Sequence, residues 1–206
     1  MRTKLIASVI AGFALGLCTA LVCGRIKPPS VEHKDNGRPK PTGVIQPRDM
    51  ADSLHALIAA EREVYHRVIV DRLQNQEKVL KASPRWEQEH ALPLPSQMLR
   101  LTAEAVQTKG AEFHYSLRSV APINRQHEPE TDIERKGLEA VARQPEQNFY
   151  SNESLGGRRY FTAVYADRAD HPGCVACHNA HPASPRKDYR SGEVLGGIVV
   201  RVPLEF

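Results

Sequence analysis

Residues 171–182 have the sequence HPGCVACHNAHP, in which two cysteines and three histidines fall within a dozen positions. Cys174, Cys177 and His178 form the pattern C-x-x-C-H, which is typical of covalent haem attachment. Two thiols at this spacing can bond to the two vinyl groups on one edge of a porphyrin. The adjacent histidine can then donate an imidazole nitrogen to the iron. The segment therefore predicts a single covalently bound haem c.

Three other chemistries use the same residue types. His171, Cys174, Cys177, His178 and His181 could supply a Cys₂His₂ zinc set, although zinc sites usually separate their two ligand pairs by a dozen or so residues. A thioredoxin-like dithiol opens a helix after a buried strand, whereas the flanking prolines here predict a loop. A disulfide across this short spacing would close almost no chain and contribute little to stability.

Outward from this segment, the sequence predicts an α+β fold, with helices first and strands later. Apolar residues at three- and four-residue steps predict helices, and alternation predicts strands. The predicted helices are Met50–Lys81, Ser96–Thr108 and Thr131–Arg143, and the predicted strands are Phe113–Val120, Arg158–Ala166 and Glu193–Val202. The C-x-x-C-H segment thus lies in a loop between the last two strands, carried on a sheet.

The N-terminus has the pattern of an export signal. Arg2 and Lys4 precede an uncharged apolar run from Leu5 to Cys23, and a basic start followed by such a run directs secretion. The run approaches the roughly 20 residues that span a bilayer, which favours an uncleaved anchor over a cleaved signal peptide. We therefore divide the chain into a signal or anchor (1–24), a Pro- and Gly-rich linker (25–47) and a haem domain (48–206), placed in the periplasm at the inner membrane.

Composition excludes two other classes of protein. The formal net charge is +4, and no basic stripe is interleaved with aromatic residues, so we expect no nucleic-acid partner. Of the four cysteines, Cys18 and Cys23 lie in the export segment. The exported domain keeps only the pair in C-x-x-C-H, which excludes a disulfide framework.

Several segments together resemble a known family. They are PLPSQMLRLTAEAV, SLRSVAPINRQHEPET, NFYSNESLGGRRYFTAVYAD, CVACHNAHPASPRKDY and GEVLGGIVVRVPL, in that order. The chain from about Met50 to Leu204 resembles the exported, PAS-like single-haem c-type domains first seen structurally in cyanobacteria. The resemblance implies N-terminal helices, a PAS-like antiparallel sheet and haem c held against it. It also implies a redox or ligand sensor, or an electron carrier.

On this interpretation Cys174 and Cys177 attach the haem and His178 is the proximal ligand of the iron. The cyanobacterial type uses a cysteine from its helical N-terminal part as the distal ligand. No cysteine lies between Cys23 and Cys174 here, so that role does not transfer. Met98 is a candidate, since Met/His is a common cytochrome c pair.

Two histidines on the long helix, His55 and His66, are alternative distal candidates, and an empty sixth position is a further alternative. A haem electron carrier or sensor is the first hypothesis for function, and either would need a redox or signalling partner protein. The alternatives are a peroxidase- or reductase-like enzyme, which requires an open distal side, and an exported zinc-stabilised interaction module. We expect a non-enzymatic role.

Overall fold

The computed structural model describes residues 43–205. The predictions for 1–24, and for the linker up to residue 42, lie outside the described residues. The helices are α1 (Pro47–Val64), α2 (Pro95–Thr108), α3 (Asp132–Arg143) and α4 (Pro172–Ala180), with a π-helical segment (Tyr65–Gln76) and a 3₁₀ turn (Arg125–His127). The strands are β1 (His114–Arg118), β2 (Phe149–Leu155), β3 (Arg158–Arg168) and β4 (Val194–Pro203). No helix within residues 43–205 is long and apolar enough to cross a membrane.

The predicted long helix is present, but its second half differs in form. Helix α1 continues without a break into the π-helical segment, which ends at Gln76 and not at Lys81. The helical segment ends here because Lys78 has a left-handed backbone conformation, with a φ of 56°. The backbone N–H groups of Val79 and Leu80 then turn back to the Leu73 carbonyl at 3.0 and 3.3 Å, which satisfies a carbonyl at the end of the helix.

The four strands form one antiparallel sheet in the order β1-β4-β3-β2. Strand β2 was not predicted. It forms a hairpin with β3 through Gly156 and Gly157, whose φ values of 57° and 80° suit the two-residue turn that joins twisted strands. The α+β prediction, with N-terminal helices and an antiparallel sheet, is confirmed.

Helices cover both faces of the central strands β3 and β4. Ala163, Tyr165 and Ile198 belong to the core cluster that also contains buried residues of α1 and α2. Val164 and Val199, which alternate with them, pack against buried residues of α3. Because both faces are buried, these strands are almost continuously apolar, which is why their sequence predicts them well.

The C-x-x-C-H segment is helical, so the prediction of a loop there is wrong. Helix α4 follows β3 closely and begins with Pro172 in its first turn, where a missing N–H costs nothing. The prolines that suggested a loop therefore lie at the helix start and just beyond its end at Ala180.

Candidate functional site

Helix α4 brings the three motif side chains to one side. Cys177 and His178 follow Cys174 by three and four positions, and residues at those separations are neighbours on a helix surface. Both cysteines are free thiols, Cys177 exposed and Cys174 partly buried. Both Cys177 and His178 are therefore neighbours of Cys174 on the surface of α4.

The chain that follows α4 holds this helix in place. The side-chain amide of Asn179 donates to the Tyr189 carbonyl and accepts from the Tyr189 N–H, both at 2.9 Å. Tyr189 also meets the His178 ring edge-on at a centroid distance of 5.6 Å. Val175 packs against the buried cluster that contains Tyr189 and Leu195. These contacts hold helix α4, which carries His178, against the segment around Tyr189.

A cavity of about 630 Å³ lies beside α4 and is lined by Cys177, His178 and His181. This volume is within the range of cofactor sites. Apolar side chains form a large part of its lining, namely Leu94, Leu117, Ala121, Pro122, Ile123 and Leu195. Three arginines also line it, Arg62, Arg100 and Arg118. The cavity can therefore hold a flat apolar group that carries acidic substituents.

A second cavity of about 430 Å³ is lined by Cys174 and His171. It shares Arg62 and Asp167 with the first cavity. The two motif cysteines thus open onto different cavities that adjoin at one ion pair.

That ion pair joins the Arg62 Nη1 and Asp167 Oδ1 atoms, and the two side chains are only 19% and 10% exposed. Burial lowers the pKa of Arg62, but the Asp167 carboxylate outweighs burial and raises it above its ordinary value. Burial lowers the pKa of His178, with Asp167 opposing the shift. The His178 imidazole is therefore neutral near pH 7, the form that binds metals.

Both thiols have raised pKa values, and burial is the principal cause for each. A dithiol that exchanges disulfides needs a nucleophile with a lowered pKa. The sequence argued against a thioredoxin-like site because it predicted a loop, but Cys174 and Cys177 lie on a helix, so that argument does not hold. The raised pKa values of both thiols argue against such a site instead. Within residues 43–205, no three His, Cys, Asp or Glu side chains are grouped to hold a metal ion.

The distal candidates predicted from the sequence lie apart from the larger cavity. Met98 lines a third cavity of about 380 Å³, whose lining residues come from α1, the π-helical segment and α2, and include none from α4. His55 and His66 line the second cavity, with Cys174. Iron ligation by any of the three stays a prediction.

Each of these histidines has an aromatic neighbour. The His55 ring stacks on Tyr165 with centroids 3.8 Å apart and planes 4° apart. The His66 ring lies 3.9 Å from that of His171, and its Nδ1 atom is buried without a hydrogen-bond partner.

Sequence analysis missed one imidazole at the larger cavity, that of His127. It lies in the 3₁₀ turn between β1 and α3. No motif marks it, because its neighbours in the sequence are ordinary turn residues. Only the fold brings it to the cavity that His178 lines.

These observations define a class of protein: an α+β domain in which a C-x-x-C-H helix borders a largely apolar cavity beside an antiparallel sheet. A sequence model of the Tll0287-like family matches residues 44–203, and the chain belongs to this family, as the resemblance implied. A solved structure described as that of the cyanobacterial heme-protein Tll0287 is 15% identical to it, with a TM-score of 0.49. The match covers 78% of this chain and 98% of the other. No curated protein matches the sequence.

Proposed function

We propose that this protein is an exported single-haem c-type cytochrome that carries electrons or senses redox state or a small ligand. The observation that supports this most is the C-x-x-C-H sequence on helix α4, whose Cys177 and His178 line the 630 Å³ cavity while Cys174 lines the adjoining 430 Å³ cavity. The family adds support, since the protein for which it is named is described as a heme-protein.

The residues present fit haem c. Each thiol S–H adds across one vinyl C=C bond, so no atom leaves and the protein gains the mass of a whole haem. Cys174 and Cys177 are free and protonated, as this addition requires. His178 supplies a neutral axial nitrogen. Arg62 and Arg100 offer guanidinium groups for the haem propionates.

Haem supplies one-electron redox chemistry when bound, and the residues around it determine its reduction potential. Apolar side chains form a large part of the cavity lining, and burial of a haem in such surroundings is one means by which proteins tune its potential. Asp167 and Arg62 place one negative and one positive charge where the two cavities adjoin. Tyr189 contacts the ring of His178 edge-on.

A peroxidase- or reductase-like haem enzyme is the second candidate, because His127, Arg100 and Gln97 are polar groups at the same cavity. It requires an open sixth position on the iron. Binding of carbon monoxide to the ferrous protein without displacement of a ligand would favour it over electron transfer.

We further propose a periplasmic location, with the N-terminal apolar run as an inner-membrane anchor or a cleaved signal. Covalent haem c is attached outside the cytoplasm, which agrees with an export signal. A redox or signalling protein is the proposed partner.

The test is haem staining after denaturing electrophoresis, with full-length protein made in a host that performs c-type maturation. We expect stain on the wild-type band and none on the Cys174→Ser/Cys177→Ser double variant. His181→Ala is the matched control, because it changes a metal-binding side chain of the same segment and leaves both thiols. A double variant that stains as strongly as the wild type would refute attachment at these cysteines.

A further inference from the structure

We propose that His127 is the second axial ligand of the haem iron, opposite His178. This inference rests on the proposed function. The two histidines belong to different elements, the 3₁₀ turn and α4, yet both line the 630 Å³ cavity. Side chains ligate haem iron along its axis, and histidines on separate elements can approach it from opposite sides.

The turn that carries His127 is held more firmly than an ordinary surface turn. The His127 N–H donates to the Asn124 carbonyl at 2.9 Å. The Arg118 guanidinium donates to the carbonyls on either side of His127, those of Gln126 at 2.9 Å and Glu128 at 3.1 Å. Metal ligands need this kind of support, because a loose ligand binds weakly.

Hydrogen bonds also tie the turn to the support of α4. The Ser119 N–H donates to the His127 carbonyl at 2.7 Å. The Ser119 hydroxyl donates to the buried Leu195 carbonyl, also at 2.7 Å. Leu195 belongs to the cluster against which Cys174 and Val175 pack. The position of His127 relative to the motif helix is therefore fixed through Ser119 and Leu195.

The His127 imidazole is available to a metal. Its backbone N–H and carbonyl make the hydrogen bonds that hold the turn, and its partly buried side chain lines the cavity. Burial lowers the pKa of His127, and the charges of Arg118 and Arg100 lower it further, so the ring is neutral near pH 7.

His181, the other imidazole at this cavity, is placed differently. Its Nδ1 atom accepts a hydrogen bond from the Ala183 N–H at 3.2 Å. It also follows His178 by three residues and caps the C-terminal end of the same helix. Because both belong to one short segment, they are poorly placed to approach an iron from opposite sides.

The experiment compares full-length, haem-loaded wild type with His127→Ala, with electron paramagnetic resonance and optical spectra of the ferric form. We expect low-spin iron in the wild type and high-spin iron in the variant, with covalent haem retained in both. Added imidazole should restore the low-spin spectrum of the variant. His127→Gln, which keeps a polar side chain, serves as a second variant if alanine disturbs folding.

The matched controls are His66→Ala, His181→Ala and Met98→Ala, all expected to stay low-spin. A high-spin wild type would overturn the inference. So would a low-spin His127→Ala variant, or a loss of the low-spin signal in any control instead. Absence of covalent haem from the wild type would refute the proposed function itself, so the two failures are distinguishable.

Discussion

Replacement of Arg201 by alanine should destabilise the domain strongly, although the residue lies outside the proposed haem site. Arg201 in β4 donates to Glu134 Oε1 in α3 and to Glu153 Oε1 in β2, both at 2.8 Å. Its side chain is 10% exposed, and those of Glu134 and Glu153 are 0% and 5% exposed. The variant therefore removes the nearest cation from two buried carboxylates.

Removal of one partner from a buried ion pair costs about 3–5 kcal/mol. Glu134 keeps a hydrogen bond from the Glu130 N–H and the Arg118 guanidinium at 3.7 Å. We therefore expect the lower end of that range, about 3 kcal/mol. This is a large share of the roughly 5–15 kcal/mol that stabilises an ordinary domain.

The assay is urea unfolding followed by circular dichroism, with both proteins in the same haem state. With a denaturant slope of about 2–3 kcal/mol/M, the midpoint should fall by about 1–1.5 M. The Tm should fall by about 6–12 °C. The matched control is Arg159→Ala, which breaks a 2.6 Å pair with Glu205 whose side chains are 62% and 60% exposed. Exposed pairs contribute about 0–1 kcal/mol, so a loss for Arg201→Ala no larger than the control's would refute the reasoning.

Three further predictions concern packing, potential and pH. Gly137→Ala should lower the free energy of unfolding by about 1–3 kcal/mol in chemical denaturation, because its Cβ would lie 2.5 Å from a valine methyl of β3. Gly173→Ala should be tolerated, because its Cβ would meet nothing closer than 3.8 Å. Equal effects of the two substitutions would contradict this. If the protein binds haem as proposed, Asp167→Asn should raise its reduction potential in a redox titration, since it removes a negative charge that acts on His178 and leaves Arg62 unpaired. An unchanged or lower potential would count against the site. Burial raises the pKa of Glu153, but hydrogen bonds from a threonine hydroxyl and an arginine outweigh burial and hold that pKa below its ordinary value. The stabilisation from Glu153 is therefore complete above about pH 4.3 and is lost as the pH falls through the lower folded-state pKa. A free energy of unfolding that is flat down to pH 2 would disprove this.

The strands buried on both faces could be predicted from the sequence, because continuous apolar residues between glycines leave few alternatives. Strand β2 could not, since its residues Tyr150 to Leu155 are largely polar and partly exposed. The signal that identifies it is the Gly156-Gly157 pair directly before β3, which is typical of a two-residue hairpin turn. Recognition of that hairpin would have completed the sheet.

The motif residues Cys174, Cys177 and His178 could be identified because their chemistry depends on spacing along the chain. The helical form of α4 was missed because the prolines near its ends favour a loop unless Pro172 is recognised as a helix start. His127 was missed for a different reason. Its place at the cavity depends on contacts between distant residues, and sequence spacing carries no record of these.

The most direct test of the central claim is the intact mass of the full-length protein, denatured and made in a host with c-type maturation. We predict a gain of one haem over the sequence mass, in addition to any removal of the N-terminal segment. The gain should disappear when the same gene is expressed without maturation. A denatured mass that shows no haem under both conditions would contradict the claim that Cys174 and Cys177 attach haem.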